Sequence, residues 1–215
     1  MERTFLFQKS ANVLNASGKQ IGSLVRVVLH PETKIITDIV VQGGTLFRKE
    51  YRVVPIDLVA ETTENQIVLL NEAEDLESFP PFEEERIVTD NDQFSSPREA
   101  PKVIYGVSGM VITAVPNPED QITTRVEQNI PEGTVALKEG AKVLTADDKH
   151  VGNVDRILAD PSDERATHLI ITQGLLTKEK KLIPMQWVMM LGEESVHLEV
   201  KEAEINALDS TSPAE

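Results

Sequence analysis

The apolar residues of the chain fall in short, loosely alternating runs, and no window of useful length keeps them at helical spacing. Thr4–Lys9 and Ala11–Leu14 read as two brief strands, followed by the turn chemistry of Ala16-Ser17-Gly18-Lys19. Ile21–Val28 reads as a long strand with an internal glycine, Gly22, which weakens a strand unless it serves a bend or a close backbone approach. His30-Pro31-Glu32-Thr33-Lys34 has the form of a type I turn with proline second. It leads into Ile35–Val41, the most apolar strand, which Gly44 ends. Val53-Val54-Pro55 is a short strand stopped by a proline that cannot donate to the ladder, and Ile67–Leu70 closes the set.

The chain then writes this pattern a second time. Thr4–Leu46 matches Thr134–Leu176 at twelve of 43 positions, among them Val13/Val143, Lys19/Lys149, Gly22/Gly152, Arg26/Arg156 and Pro31/Pro161. One residue is lost, and Arg52-Val53-Val54-Pro55 answers Lys181-Leu182-Ile183-Pro184. A match this long with one gap means two homologous domains. Five or six short strands per copy, with turn signals roughly every 8–12 residues, predict a small barrel or sandwich. The fold class is therefore all-β: two tandem small β-barrels joined by an acidic, proline-containing connector. Gly22, Gly152, Pro55 and Pro184 are the expected structural residues. The predicted boundaries are 1–72 and 131–202 for the two domains, 73–130 for the connector and 203–215 for a polar tail with a helical turn near Ala203–Leu208.

Charge separates the connector from the rest. Glu72–Glu99 carries ten acidic residues against Arg86 and Arg98, a net −8 in 28 residues, with Pro80, Pro81 and Pro97 among them. That composition does not build a core of its own. Phe79, Phe82 and Phe94 qualify this reading, because aromatic residues in a connector dock onto something. Val103–Val115 is apolar enough for a strand or hairpin, either an extra edge element or a patch buried between the domains.

The whole chain of 215 residues has a net charge of −15, which repels phosphates and argues against direct nucleic-acid binding. No apolar run approaches the ~20 residues of a membrane span, and the N-terminus lacks the features of a signal peptide, so the chain is expected to be cytoplasmic. With no cysteine there are no disulfides and no thiolate chemistry.

Groups that carry catalysis are sparse. There is no phosphate-binding glycine loop, and Gly43-Gly44 reads as a turn. His30, His150, His168 and His197 lack metal-ligand spacing; Asp90-Asn91-Asp92 lacks the glycine and distant glutamate of a calcium loop. No catalytic, cofactor or metal residue is assigned, and no enzyme is expected. The basic turns before each proline strand are the best candidates for a polar contact surface: Arg48, Lys49 and Arg52 in the first copy, Lys178, Lys180 and Lys181 in the second, with Phe79 and Phe82 nearby. Trp187 aligns with Leu58 and reads as a core or inter-domain contact.

Gly18-Lys19-Gln20-Ile21-Gly22, His30-Pro31, Ile36–Val41 and Val53-Val54-Pro55 resemble the PRC-barrel family, as do Asp148-Lys149-His150-Val151-Gly152, Asp160-Pro161, His168–Thr172 and Leu182-Ile183-Pro184. The resemblance implies two tandem copies of a β-barrel that mediates assembly. Similar barrels end a ribosome-maturation factor and form the cytoplasmic part of the photosynthetic reaction-centre H subunit. The expected function is a non-catalytic protein-interaction or assembly module. Alternatives are a small-molecule or metal-binding stress-related protein and a ribosome-associated assembly factor. The two barrels are expected to pack as a pseudo-symmetric pair or to dimerise through equivalent strands, with a protein partner.

Overall fold

The computed structural model describes residues 4–8, 10–45, 48–70, 75–89, 122–174 and 179–208. The first copy holds β1 (Phe5–Gln8), β2 (Asn12–Leu14), β3 (Gln20–Leu29), β4 (Ile36–Thr45), β5 (Arg48–Pro55), β6 (Val59–Thr62) and β7 (Gln66–Leu69). Then come β8 (Glu83–Thr89) and β9 (Ile122–Gln128). The second copy holds β10 (Val135–Lys138), β11 (Lys142–Leu144), β12 (His150–Asp160), β13 (Arg165–Gln173), β14 (Glu179–Pro184), β15 (Val188–Leu191) and β16 (Ser195–Leu198), followed by the single-turn helix α1 (Glu202–Asn206). Contacts divide the chain into two units, residues 1–82 with 129–215 and residues 83–128.

In the second unit β8 and β9 form an antiparallel ladder, from Glu83 opposite Gln128 to Thr89 opposite Ile122. The connector, expected to lack a core of its own, thus carries a strand near each end. The glutamate run hid the β-branched Ile87-Val88-Thr89 and Ile122-Thr123-Thr124, which favour extended backbone. The strand expected at Val103–Val115, and Phe94, lie outside the described residues.

The first unit contains two sheets of the same order. One runs β5-β4-β3-β2-β7-β6 and the other β14-β13-β12-β11-β16-β15. Among the described residues no ladder joins the two end strands of either sheet, so the expected barrels are open in their hydrogen bonding. The reason is local: Pro55 and Pro184 end their strands, and the 3₁₀ turns Ile56–Leu58 and Met185–Trp187 carry the chain across the gap.

Each sheet takes its seventh strand from the other copy. Phe5–Gln8 pairs antiparallel with Arg156–Ala159, and Val135–Lys138 pairs with Arg26–Leu29. The sequence boundaries 1–72 and 131–202 therefore do not enclose separate sheets. The chain changes sheet at Ser10 and Gly140, both left-handed (φ 58° and 76°), where Ala11 N and Ala141 N donate to Gln8 O and Lys138 O at 3.1 Å. Ser10 N donates to the Glu139 carboxylate at 3.0 Å, which ties the two crossings together.

Side-chain and turn contacts repeat the exchange. Arg26 Nη1 meets Glu193 Oε2 at 3.2 Å, and Arg156 Nη1 meets Glu64 Oε1 at 2.9 Å, so each arginine pairs with a carboxylate of the other copy. Ile36 N donates to Glu164 O and Ala166 N to Lys34 O, both at 2.9 Å. Lys34 and Glu164, left-handed at φ 62° and 57°, aim the turns at each other. These are two-fold-related pairs of an isologous interface within one chain. A continuous core spans it and includes Phe7, Val27, Leu137 and Ile157. The pseudo-symmetric packing expected from the repeat is this intertwined one.

Substitutions between the copies keep roles. His30 Nδ1 accepts from Glu32 N at 3.2 Å, and Asp160 Oδ1 accepts from Ser162 N at 2.8 Å, so a histidine and an aspartate close equivalent turns. The glycines do what the sequence reading required. A Cβ on Gly22 would stand 2.7 Å from Gln42 O, and one on Gly152 2.6 Å from Thr172 O, the equivalent carbonyl. The long strands shift register beside them, between Val13 and Leu14 and between Val143 and Leu144.

Gly22→Ala is expected to cost about 1–3 kcal/mol, measured by urea unfolding, because rigid backbone cannot give way. Gly18→Ala should cost less than Gly22→Ala, since the space beside Gly18 is open and only its φ of +80° is strained.

Candidate docking face and inter-copy groove

Arg52 and Lys181 do not belong to the contact surface expected of the basic turns. Arg52 is partly buried and donates from Nη1 to Phe79 O at 3.0 Å, while Lys181, only 6% exposed, donates from Nζ to Leu208 O at 2.5 Å. Positions 52 and 181 are repeat partners, and so are 79 and 208. Each cation therefore clamps the segment that follows the last strand of its own copy. That segment buries Leu76 in the first copy and Ile205 in the second. Lys181 is thus corrected from a surface residue to an internal clamp. Arg48 and Lys49 are exposed, Arg48 pairing with Glu50 at 3.3 Å, and Lys180 pairs with Asp155 at 3.0 Å. Lys178 lies outside the described residues.

Phe82 is likewise corrected, because it is 3% exposed. It packs on the outer face of the first sheet with Val28, Val40, Val53 and Ala136, a second core on the side opposite the main one. This explains why Val40 and Val41, or Val53 and Val54, are buried in succession: alternate residues enter different cores. The segment that delivers Phe82 is itself strand-like. Val53 N donates to Pro80 O at 3.0 Å, Phe82 N donates to Tyr51 O at 2.8 Å, and Arg52 is bridged to Pro81. The Arg26 guanidinium lies 5.2 Å from the Phe82 ring centroid. Phe79 is partly buried against the main core, and so is Trp187.

The second sheet has the same outer face, and among the described residues no counterpart of Phe82 lies on it. Leu158, Ile170 and Leu182 stand where the first has Val28, Val40 and Val53, and Leu6 stands where it has Ala136. All four are only partly buried, whereas their counterparts are 0 to 3% exposed. Thr211 holds the position of Phe82 in the repeat. Arg156 replaces Arg26, and β14 is an end strand of its sheet, as β5 is. The sequence signal was present in Pro80-Pro81-Phe82, but nothing in the sequence told which sheet that segment would cover.

A groove of about 750 Å³ lies between the two copies, where Pro31, Glu32 and Lys34 of the first face Arg165, His168, Met185 and Met189 of the second. Met189 is 63% exposed. Lys34 donates to Pro31 O and Val188 O, and burial holds its ammonium below the usual lysine range. The pseudo-symmetric positions to Lys34, Arg165 and His168 are Glu164, Ile35 and Asp38, so the copies have diverged in charge here. Asp38 is buried, and that burial pushes its carboxyl above the usual aspartate range, with the Asp57 charge adding to it. Among the described residues no three histidine or carboxylate side chains are placed to hold a metal ion, and no helix is long and apolar enough to cross a membrane.

The Asp38 shift has a definite sign. A carboxyl whose folded-state pKa is raised penalises folding once pH rises above its unfolded value of about 3.9. Asp38→Asn removes that penalty, so the melting temperature of the variant relative to wild type should rise between about pH 3 and about pH 7. A difference that stays flat with pH would contradict the assignment.

Comparison with known families divides the chain in the same place as the repeat. Residues 9–77 match the PRC-barrel domain. Residues 137–206 match a different family model, described as "Uncharacterized protein conserved in bacteria (DUF2171)", instead of a second PRC-barrel. No curated protein matches the chain. The first half of the chain thus carries a PRC-barrel domain, and the second is a repeat of it in strand order that answers to another family description.

Proposed function

We propose that the protein is a non-catalytic protein-interaction module and that its partner docks on the outer face of the second sheet, over Leu6, Leu158, Ile170 and Leu182. One observation carries this reading: the equivalent face of the first sheet is covered by the chain's own Phe82, and this one keeps its aliphatic side chains partly open to solvent. Four aliphatic residues side by side on a sheet face lose free energy to water at roughly 25 cal/mol per Å² left exposed. Patches of that kind mark association sites. The PRC-barrel match supports the reading by resemblance alone.

The face also has the anatomy of a docking site. Its aliphatic centre is rimmed by charge, with Asp155 paired to Lys180 at 3.0 Å and Arg156 held to Glu64 at 2.9 Å. The reading assigns no reaction to the chain.

A photo-crosslinking amino acid at position 182 is expected to capture a protein partner in cells, and the same group at position 53 to capture none. Leu158→Glu should abolish the capture while leaving the circular dichroism spectrum unchanged. Equal capture from both positions, or capture that survives Leu158→Glu, would refute the docking face.

A further inference from the structure

The groove between the copies gathers positive charge in a chain whose net charge is −15. Lys34, Arg165 and His168 line it, and Glu32 is the one carboxylate among the described residues that does. The lysine and the arginine sit on neighbouring backbone: Ile35 is bridged to Arg165, and Ala166 N donates to Lys34 O at 2.9 Å. Like charges lining one groove repel each other.

The Lys34 ammonium gives two of its three N–H donors to Pro31 O and Val188 O, and it pairs with no carboxylate among the described residues. Carbonyls replace part of the water it loses but supply no counter-charge, and its burial accordingly lowers its hold on the proton. Arg165 is braced between the two turns. Its Nη1 donates to Thr33 O at 2.9 Å, and its Nε to Asp163 Oδ2 at 3.4 Å. A guanidinium has five N–H donors, so these contacts leave others for a ligand.

The repeat shows that the fold does not require these charges. The twins of Lys34, Arg165 and His168 are Glu164, Ile35 and Asp38, and the twin of Gln186 in the groove wall is Asp57. Lys34 and Glu164 hold the same left-handed turn position with opposite charge, so the cation is not there to make the turn. The apolar wall has diverged as well. Met185 is buried, and Met189, 63% exposed, stands where the first copy has Ala60. Methionine adapts its shape to what it touches. A volume of about 750 Å³ is that of a small-molecule site.

We propose that this groove binds a small organic anion, its carboxylate or phosphate head held by Lys34, Arg165 and His168 and its apolar body laid along Met185 and Met189. The head supplies the counter-charge that Lys34 lacks and relieves the repulsion between the two cations. The site does not depend on the docking face over Leu158 and Leu182, which crosslinking at position 182 reads separately.

The test uses the full chain with methyl-labelled methionine and labelled amides, titrated with hexanoate and with hexyl phosphate. One or both anions are expected to give saturable shifts of the Met185 and Met189 methyl signals and of the Arg165 and His168 amides. Hexanol, the same apolar body without charge, should bind about tenfold or more weakly, as expected when charge-assisted hydrogen bonds are lost. Lys34→Glu and Arg165→Ile give each position the residue of its twin, and each should weaken anion binding about tenfold or more with an unchanged circular dichroism spectrum. If Lys34→Glu alters that spectrum, Arg165→Ile decides. No methyl shift at millimolar concentrations of either anion, equal binding of hexanol, or undiminished binding to Arg165→Ile would overturn the inference.

Discussion

Reciprocal exchange of the first strands is the constraint on which the rest of the first unit depends. Once Phe5–Gln8 lies on β12 and Val135–Lys138 lies on β3, neither copy has a complete sheet without the other. Phe7 and Leu137 then belong to a core that crosses the boundary between the copies. The arginines at 26 and 156 find their carboxylates on the opposite copy for the same reason. The Arg26 pair is partly open to solvent, whereas the Arg156 guanidinium is buried. The hydrophobic seam and the two ladders hold the unit together, and the left-handed crossings at Ser10 and Gly140 direct the chain into them.

Duplication under that constraint leaves each feature with a twin, and the informative positions are those where twins differ. Arg52 and Lys181 differ in residue and agree in task, as do His30 and Asp160. The outer faces agree in shape and differ in exposure, Leu6, Leu158, Ile170 and Leu182 being partly open where Ala136, Val28, Val40 and Val53 are closed under Phe82. The turns across the groove agree in backbone and differ in charge, Lys34 against Glu164. Lys34, Glu164, Arg52 and Lys181 can diverge in this way without disturbing the exchange, since none of them lies in β1, β3, β10 or β12.

Much of this was legible in the sequence, and the rest was hidden for physical reasons. Alternation, proline and glycine placed nearly every strand of the repeat, and Gly22 and Gly152 announced the close backbone approach that they make. The exchange left no trace in the pattern, because a strand's apolar alternation does not say whose edge it will join. Arg26 and Arg156 recurred, and so did Glu64 and Glu193, but four recurring charges do not by themselves reveal an ion pair between copies. The basic segments misled because Arg52 and Lys181, read as turn residues, lie in β5 and β14, where two main-chain carbonyls capture them. Phe82 was recognised as a residue that docks, although its destination depended on the tertiary fold.

The absence of cysteine from the chain makes the central claim directly measurable. Phe5 stands opposite Ala159 in the exchanged ladder, and the same strand placed on its own copy would bring Phe5 opposite Leu29, the repeat partner of Ala159. In the double variant Phe5→Cys with Ala159→Cys, mild oxidation is predicted to give an intramolecular disulfide in the monomer, detected by mass and by mobility on non-reducing gels. Phe5→Cys with Leu29→Cys should remain reduced under the same conditions. A disulfide in the second pair and none in the first would contradict the exchange.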